Sequence, residues 1–245
     1  MQLTKSGWGF LLALIGLISL AWTGFALHDN VKLPGWWTVY IVWACSTFLI
    51  AFMAMMIGTG RKERALGIMI DNRNRYSLSK AQMTFWTILV LGSVFTIIIW
   101  NTAHHPVDPA NAKNILPFLN IPTFLWALMG ISTVSLVGSP LILKDKEAAD
   151  ELVPAGESSE DAKFSDLIFG EEKGTQDQID LGRVQMLLIS MIVGISYTVL
   201  IATHIGGSAP FGKAGINGFP DMDGGLLGLI AISHAGYLSY KAIKK

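Results

Sequence analysis

Apolar residues in this chain do not alternate with polar ones or recur in a helical stripe. They run on. Six apolar tracts stand out, at roughly 8–28, 36–58, 81–103, 118–143, 184–205 and 224–241. Each is close to the length an α-helix needs to cross a ~30 Å hydrocarbon core at ~1.5 Å per residue. Helices apolar all round belong in a protein core or a membrane. The pattern therefore predicts an all-α integral membrane protein with six transmembrane helices. The first tract follows Lys5, as a leader peptide would, but it is long for a leader and contains Trp22, so it is read as a span.

Polar residues between the tracts set an orientation. If the chain starts in the cytoplasm and crosses six times, Lys32, Lys113 and Lys213 alone fall in outer loops, and the other 15 of the 18 Lys and Arg stay inside. That bias predicts a cytoplasmic-type (inner or plasma) membrane with both termini cytoplasmic. Trp8, Trp36, Trp37, Trp43, Trp86, Trp100 and Trp126 lie near tract ends, where aromatic belts form.

Two short words repeat. "SLSKAQM" (77–83) and "DLGRVQM" (180–186) each precede an apolar tract, and "LMGIS" (128–132) pairs with "LIAIS" (229–233), giving offsets of 103 and 101. Two matches at nearly one offset predict an internal duplication. The last four helices would then form two parallel helical-hairpin repeats, 77–143 and 180–245. The rest divides into an N-terminal hairpin (1–60), a basic amphipathic loop (61–80) and an acidic loop (144–179).

Each word suggests a role by position. Ser77 and Asp180 can cap a helix. Lys80 and Arg183 would reach lipid headgroups, together with Arg61, Lys62, Arg64, Arg73 and Arg75. Gln82 and Gln185 sit about a turn deeper and need partners, either as interhelical glue or around a polar constriction. Ser132, Ser233 and His234 are further polar candidates, with Thr87 beside them; His234 falls near mid-membrane, where an ionisable group is a functional candidate by default. Small residues Gly130, Ser135, Gly138, Gly224, Gly228 and Gly236 suggest close helix packing.

Charge separates the inner loops. Residues 61–80 carry six bases against two acids, and 144–180 twelve acids against four bases. The acidic segment is read as a solvated linker with a short docking helix around Phe164, Leu167, Ile168 and Phe169, able to hold a cytoplasmic protein partner. Pairing with the basic loop is the alternative. In "HHPVDP" (104–109) two histidines and an aspartate lack a placed third or fourth ligand, so no metal site is expected. "NGFPDMDGG" (217–225) reads as a turn with Asp223 capping the last helix.

Composition sharpens this reading. The chain of 245 residues is 51% hydrophobic and 15% charged, with mean hydropathy +0.48. Its formal net charge is zero, which gives no field for nucleic acid. One cysteine, Cys45, excludes an intrachain disulfide. No HExxH, GxSxG, P-loop or GxGxxG occurs, and no Asp or Glu lies inside a span, so neither enzyme chemistry nor a cofactor is expected. Two roles remain: a membrane anchor or structural subunit of a larger assembly, or an oligomeric passive pore lined by neutral polar residues. Anionic lipids and a homo-oligomeric or hetero-complex state are the expected partners.

Overall fold

A computed structural model describes residues 5–26, 37–104, 120–208, 216 and 218–243. Six helices follow in order: α1 (Lys5–Ala26), α2 (Trp37–Lys62), α3 (Leu78–His104), α4 (Thr123–Ala148), α5 (Leu181–Ser208) and α6 (Gly224–Ala242). Isolated β-bridges (Ile70 with Tyr76, Leu152 with Glu172, Phe169 with Ile179) pin the connecting segments, and no strand occurs among the described residues. Lys32, Lys113, Lys213 and most of the 104–109 histidine word lie outside the described residues.

Helices α2 to α5 are each long and apolar enough to cross a membrane. The apolar stretch of α1, Ser6–Leu20, is shorter. The 19 residues of α6 are diluted by Gly224, Gly225, Gly228, Ser233, His234 and Gly236. Helix α5 buries Arg183, Met186, Ser190, Val193, Tyr197, Ile201 and Ile205 at three- and four-residue steps, while Leu188, Ile192, Ile195 and Val199 face outward. Water would penalise so much exposed aliphatic surface, whereas lipid does not. The chain is thus a helical membrane protein.

Packing divides the chain into two compact units. The first comprises 1–56, 87–123 and 196–221. In it Gly9 faces Met56 and Gly16 faces Leu49, so α1 lies close to α2. Trp43 Nε1 donates to Ser93 Oγ (2.9 Å), linking α2 to α3. Asn101 closes a two-way bond with the Ile216 backbone, its Nδ2 donating at 3.1 Å and its Oδ1 accepting at 2.8 Å.

The second unit comprises 57–86, 124–195 and 222–245. Its core joins Leu78 of α3, Met186 of α5 and Tyr237 of α6. Two sequence-read caps take shape: Asp180 Oδ1 accepts from the Arg183 amide (3.2 Å), and Asp223 Oδ1 from the Gly225 amide (2.7 Å).

The 144–180 segment is not a solvated linker. It folds against 61–80: Arg64 donates to the Ser159 and Ala162 carbonyls, Ser159 Oγ to the Lys62 carbonyl (2.6 Å), and Asn74 Nδ2 to the Gly156 carbonyl (2.9 Å). Tyr76 stacks on Phe164 with ring centroids 4.8 Å apart, and the Arg64 guanidinium lies over the Tyr76 ring. The expected docking helix is two short 3₁₀ turns, Ser159–Asp161 and Phe164–Leu167. Opposite charge and the stacking of Phe164 on buried Tyr76 outweigh the disorder-promoting composition of this segment.

Close backbone packing occurs at glycines other than those expected. A Cβ on Gly58 would stand 2.7 Å from the Ile68 amide nitrogen, and one on Gly67 would stand 2.5 Å from the Gly58 carbonyl oxygen. Among the described residues a Cβ at Gly130, Gly224, Gly228 or Gly236 would meet nothing within 4 Å, whereas at Gly138 it would touch Leu238 of α6 at 3.5 Å. Of the five, only Gly138 lies against another helix among the described residues. Gly67→Ala is expected to lower stability by about 1–3 kcal/mol through overpacking, whereas Gly130→Ala is expected to be neutral or stabilising by up to ~1 kcal/mol through helix propensity. Thermal unfolding of the two variants in one detergent checks the contrast.

Candidate functional site

The most unusual chemistry sits where the acidic segment meets the helix ends of the second unit. Its centre is Glu171, only 7% exposed. Backbone pairing fixes the residue. The Val153 amide donates to the Glu171 carbonyl (3.0 Å), Lys173 donates to Glu151 (2.9 Å), and Gly170 donates to Gln178 (3.2 Å). Gly170 has no room for a side chain, since a Cβ there would lie 2.7 Å from the Thr175 carbonyl oxygen. The "FGEEK" word is thus clamped from both sides, and its first glutamate points inward.

Three cations meet that carboxylate, each from a different element. Arg183, in the first turn of α5, pairs with Glu171 Oε1 and donates to the Asp166 carbonyl (2.7 Å). Lys241, in the last turn of α6, lies 3.3 Å from Glu171 Oε2 and donates to Ser139 Oγ (2.7 Å) and Tyr237 Oη (3.1 Å). Arg73, from the basic loop, lies 3.7 Å from Oε2 and donates to the Val153 carbonyl. Beside them Lys146 of α4 pairs with Glu172 and donates to the Ile243 carbonyl (2.9 Å). Burial alone would favour a protonated Glu171, but Lys241, Arg183 and Arg73 outweigh it and hold the carboxyl far below the usual range.

A cavity of about 510 Å³ opens next to this cluster. Its walls are the 71–80 segment, α4 from Leu136 to Glu147, Glu171 and Lys241. Pro140 has no N–H to give the Leu136 carbonyl, and both residues line the cavity, so the wall forms where a helical hydrogen bond is missing.

The sequence-read polar residues are distributed as follows. Gln82 is buried and donates to Ser190 Oγ and, at 3.4 Å, to the Met186 carbonyl. Gln185 is exposed and does not meet it. The two repeated words do begin α3 and α5, but they bury different faces: Leu78 is 1% exposed and its counterpart Leu181 is 74% exposed. Ser132, Ser135, Ser139, Ser233 and His234 are all buried, and Ser135 Oγ lies 2.6 Å from His234 Nδ1. His234 thus ties α4 to α6.

Several headgroup candidates are occupied inside the protein. Arg73 and Arg183 are buried against Glu171. Lys62 donates to Asn74 Oδ1 (2.8 Å), Lys80 to the Ile70 carbonyl (2.8 Å), and Arg64 to the two carbonyls named above. Arg75 is half-buried, with its amide donating to Asp71 Oδ1 (3.0 Å), and Arg61 is exposed. Sequence reasoning missed Glu171, Glu172, Lys146 and Lys241 as a group. The one available hint was an acidic pair directly after an apolar knot. Among the described residues no group of three or more His, Cys, Asp or Glu could hold a metal. The chain matches no known protein family, and no curated protein or solved structure is significantly similar to it.

Glu171→Gln leaves three cations without their anion and is expected to cost about 3–5 kcal/mol. Asp150→Asn, which removes a solvent-exposed partner of Lys173, is expected to leave stability unchanged. Chemical unfolding of both variants tests this. The pH dependence has a fixed sign. Above the ordinary glutamate value of 4.5, Glu171 is ionised in folded and unfolded chains alike and its contribution is complete. Below it the unfolded chain takes up a proton that the folded one refuses, so stability falls as pH falls. Wild type is expected to lose stability below pH 4.5 more steeply than Glu171→Gln.

Proposed function

We propose that this protein is a membrane anchor or structural subunit. Its two inner segments, 61–80 and 144–180, form a folded polar platform for a partner. The chain crosses six times, with both ends and the platform on the cytoplasmic side, and 77–143 and 180–245 are two copies of one helical hairpin. The observation that carries this reading is the burial of Glu171 among Arg73, Arg183 and Lys241. A cluster that fixes a loop to three elements gives a surface of constant shape, which is what a docking platform requires. The offsets of 103 and 101 and the distribution of Lys and Arg support the repeat and the sidedness. Pairwise bonding of Gln82 with Ser190 and of Ser135 with His234 favours interhelical glue over a water-lined path.

Two measurements test the proposal. With Cys45→Ser as background, Glu157→Cys is expected to react with an impermeant maleimide in inside-out vesicles and not in right-side-out ones; the reverse labelling rejects the orientation. Liposomes holding the purified protein are expected to carry no ion flux across a range of voltage and pH. Flux above that of empty liposomes favours the pore instead.

A further inference from the structure

We propose that the cavity beside Glu171 is a binding site for the phosphodiester headgroup of an anionic phospholipid, with an acyl chain lying along α4. The two walls of the cavity differ in the way such a ligand requires. On one side stand Val137 and Leu141, 55% and 61% exposed on a helix apolar enough to cross a membrane. On the other stand four cations, Arg73, Lys80, Lys144 and Lys241.

Three acids, Asp71, Glu147 and Glu171, line the cavity against these four cations, which leaves an excess of one positive charge. Glu171 pairs with Arg183, Lys241 and Arg73. Asp71 Oδ1 accepts from the Arg73 and Arg75 amides, at 2.8 and 3.0 Å. Glu147 is exposed at the far end of α4. Donors are also left over. Arg73 Nε is buried and makes no hydrogen bond among the described residues, and Nη1 meets only Glu171 Oε2, at 3.7 Å, beyond hydrogen-bond distance. A buried guanidinium with spare N–H groups is an exception that calls for an acceptor, and a phosphate oxygen supplies one. An amphiphile satisfies both walls at once. A free anion satisfies only one.

The inference rests on α4 being membrane-embedded, as in the reading above, but not on a docked partner. Its test can therefore fail without touching the anchor role. Purified protein is equilibrated in mixed micelles with equal phosphatidylglycerol and phosphatidylcholine, and retained lipid is counted by native mass spectrometry. One phosphatidylglycerol per chain is expected in clear excess over phosphatidylcholine. Lys144→Gln, at an exposed helix end, is expected to cut that retention about fivefold, the effect of one lysine beside an anionic headgroup. Lys163→Gln, an exposed lysine away from the cavity, is expected to leave it unchanged. Equal retention of the two lipids overturns the proposal. So does an equal loss in both variants, which marks diffuse surface charge. Displacement of the lipid by millimolar inorganic phosphate also overturns it, since the ligand is then a free anion.

Discussion

A carboxylate cannot be taken out of water unless something else stabilises its charge, and much of this protein's polar half follows from meeting that condition at Glu171. The desolvation of one buried anion is worth several kcal/mol, and a single exposed lysine would not offset it. Here three cations converge, from the basic loop, the start of α5 and the end of α6. Each of them also donates to a neighbouring oxygen, but it is the glutamate that draws them to one point, and the glutamate cannot be buried without them. The acidic segment is therefore held in place by mutual need. Glu172 and Lys146 extend the same arrangement to the end of α4.

Away from this cluster the structure obeys a different solvent. Helices α2 to α5 turn large aliphatic side chains outward and reserve their inner faces for tight contacts and a few hydroxyl, amide and imidazole pairs. In hydrocarbon such pairs add modest strength but strong preference for one arrangement, because an unpaired polar group has nowhere else to go. The two regimes share a logic: apolar surface is free to face out, and polar groups turned inward are stabilised by the partners they find.

This division explains what could be read from the sequence. Helices declare themselves through unbroken apolar runs, and Asp180 and Asp223 announce their caps by type and position. Glu171 does not, because it is one of twelve acids in a segment whose composition suits solvent. Its burial is a tertiary fact, set by residues as far away in the chain as Arg73 and Lys241. The repeated word shows the same limit. Identical letters at Gln82 and Gln185 meet different neighbours, so one is buried against Ser190 and the other faces out. Small residues mislead for a related reason. Gly130 and Gly228 look like packing sites on a helical wheel, yet a Cβ on either would meet nothing among the described residues, while Gly58 and Gly67 sit at a real backbone crossing.

The central claim is that the acidic segment is a folded part of the molecule, locked by Glu171. Amide hydrogen exchange across 151–180 in detergent-solubilised protein tests it most directly. The account predicts slow exchange at Val153, Gly156, Gly170 and Asp180, whose amides donate to Glu171, Arg73, Gln178 and Ile168, and loss of that protection in Glu171→Gln. Exchange at the rate of an unstructured chain at those four amides in the wild-type protein would contradict it.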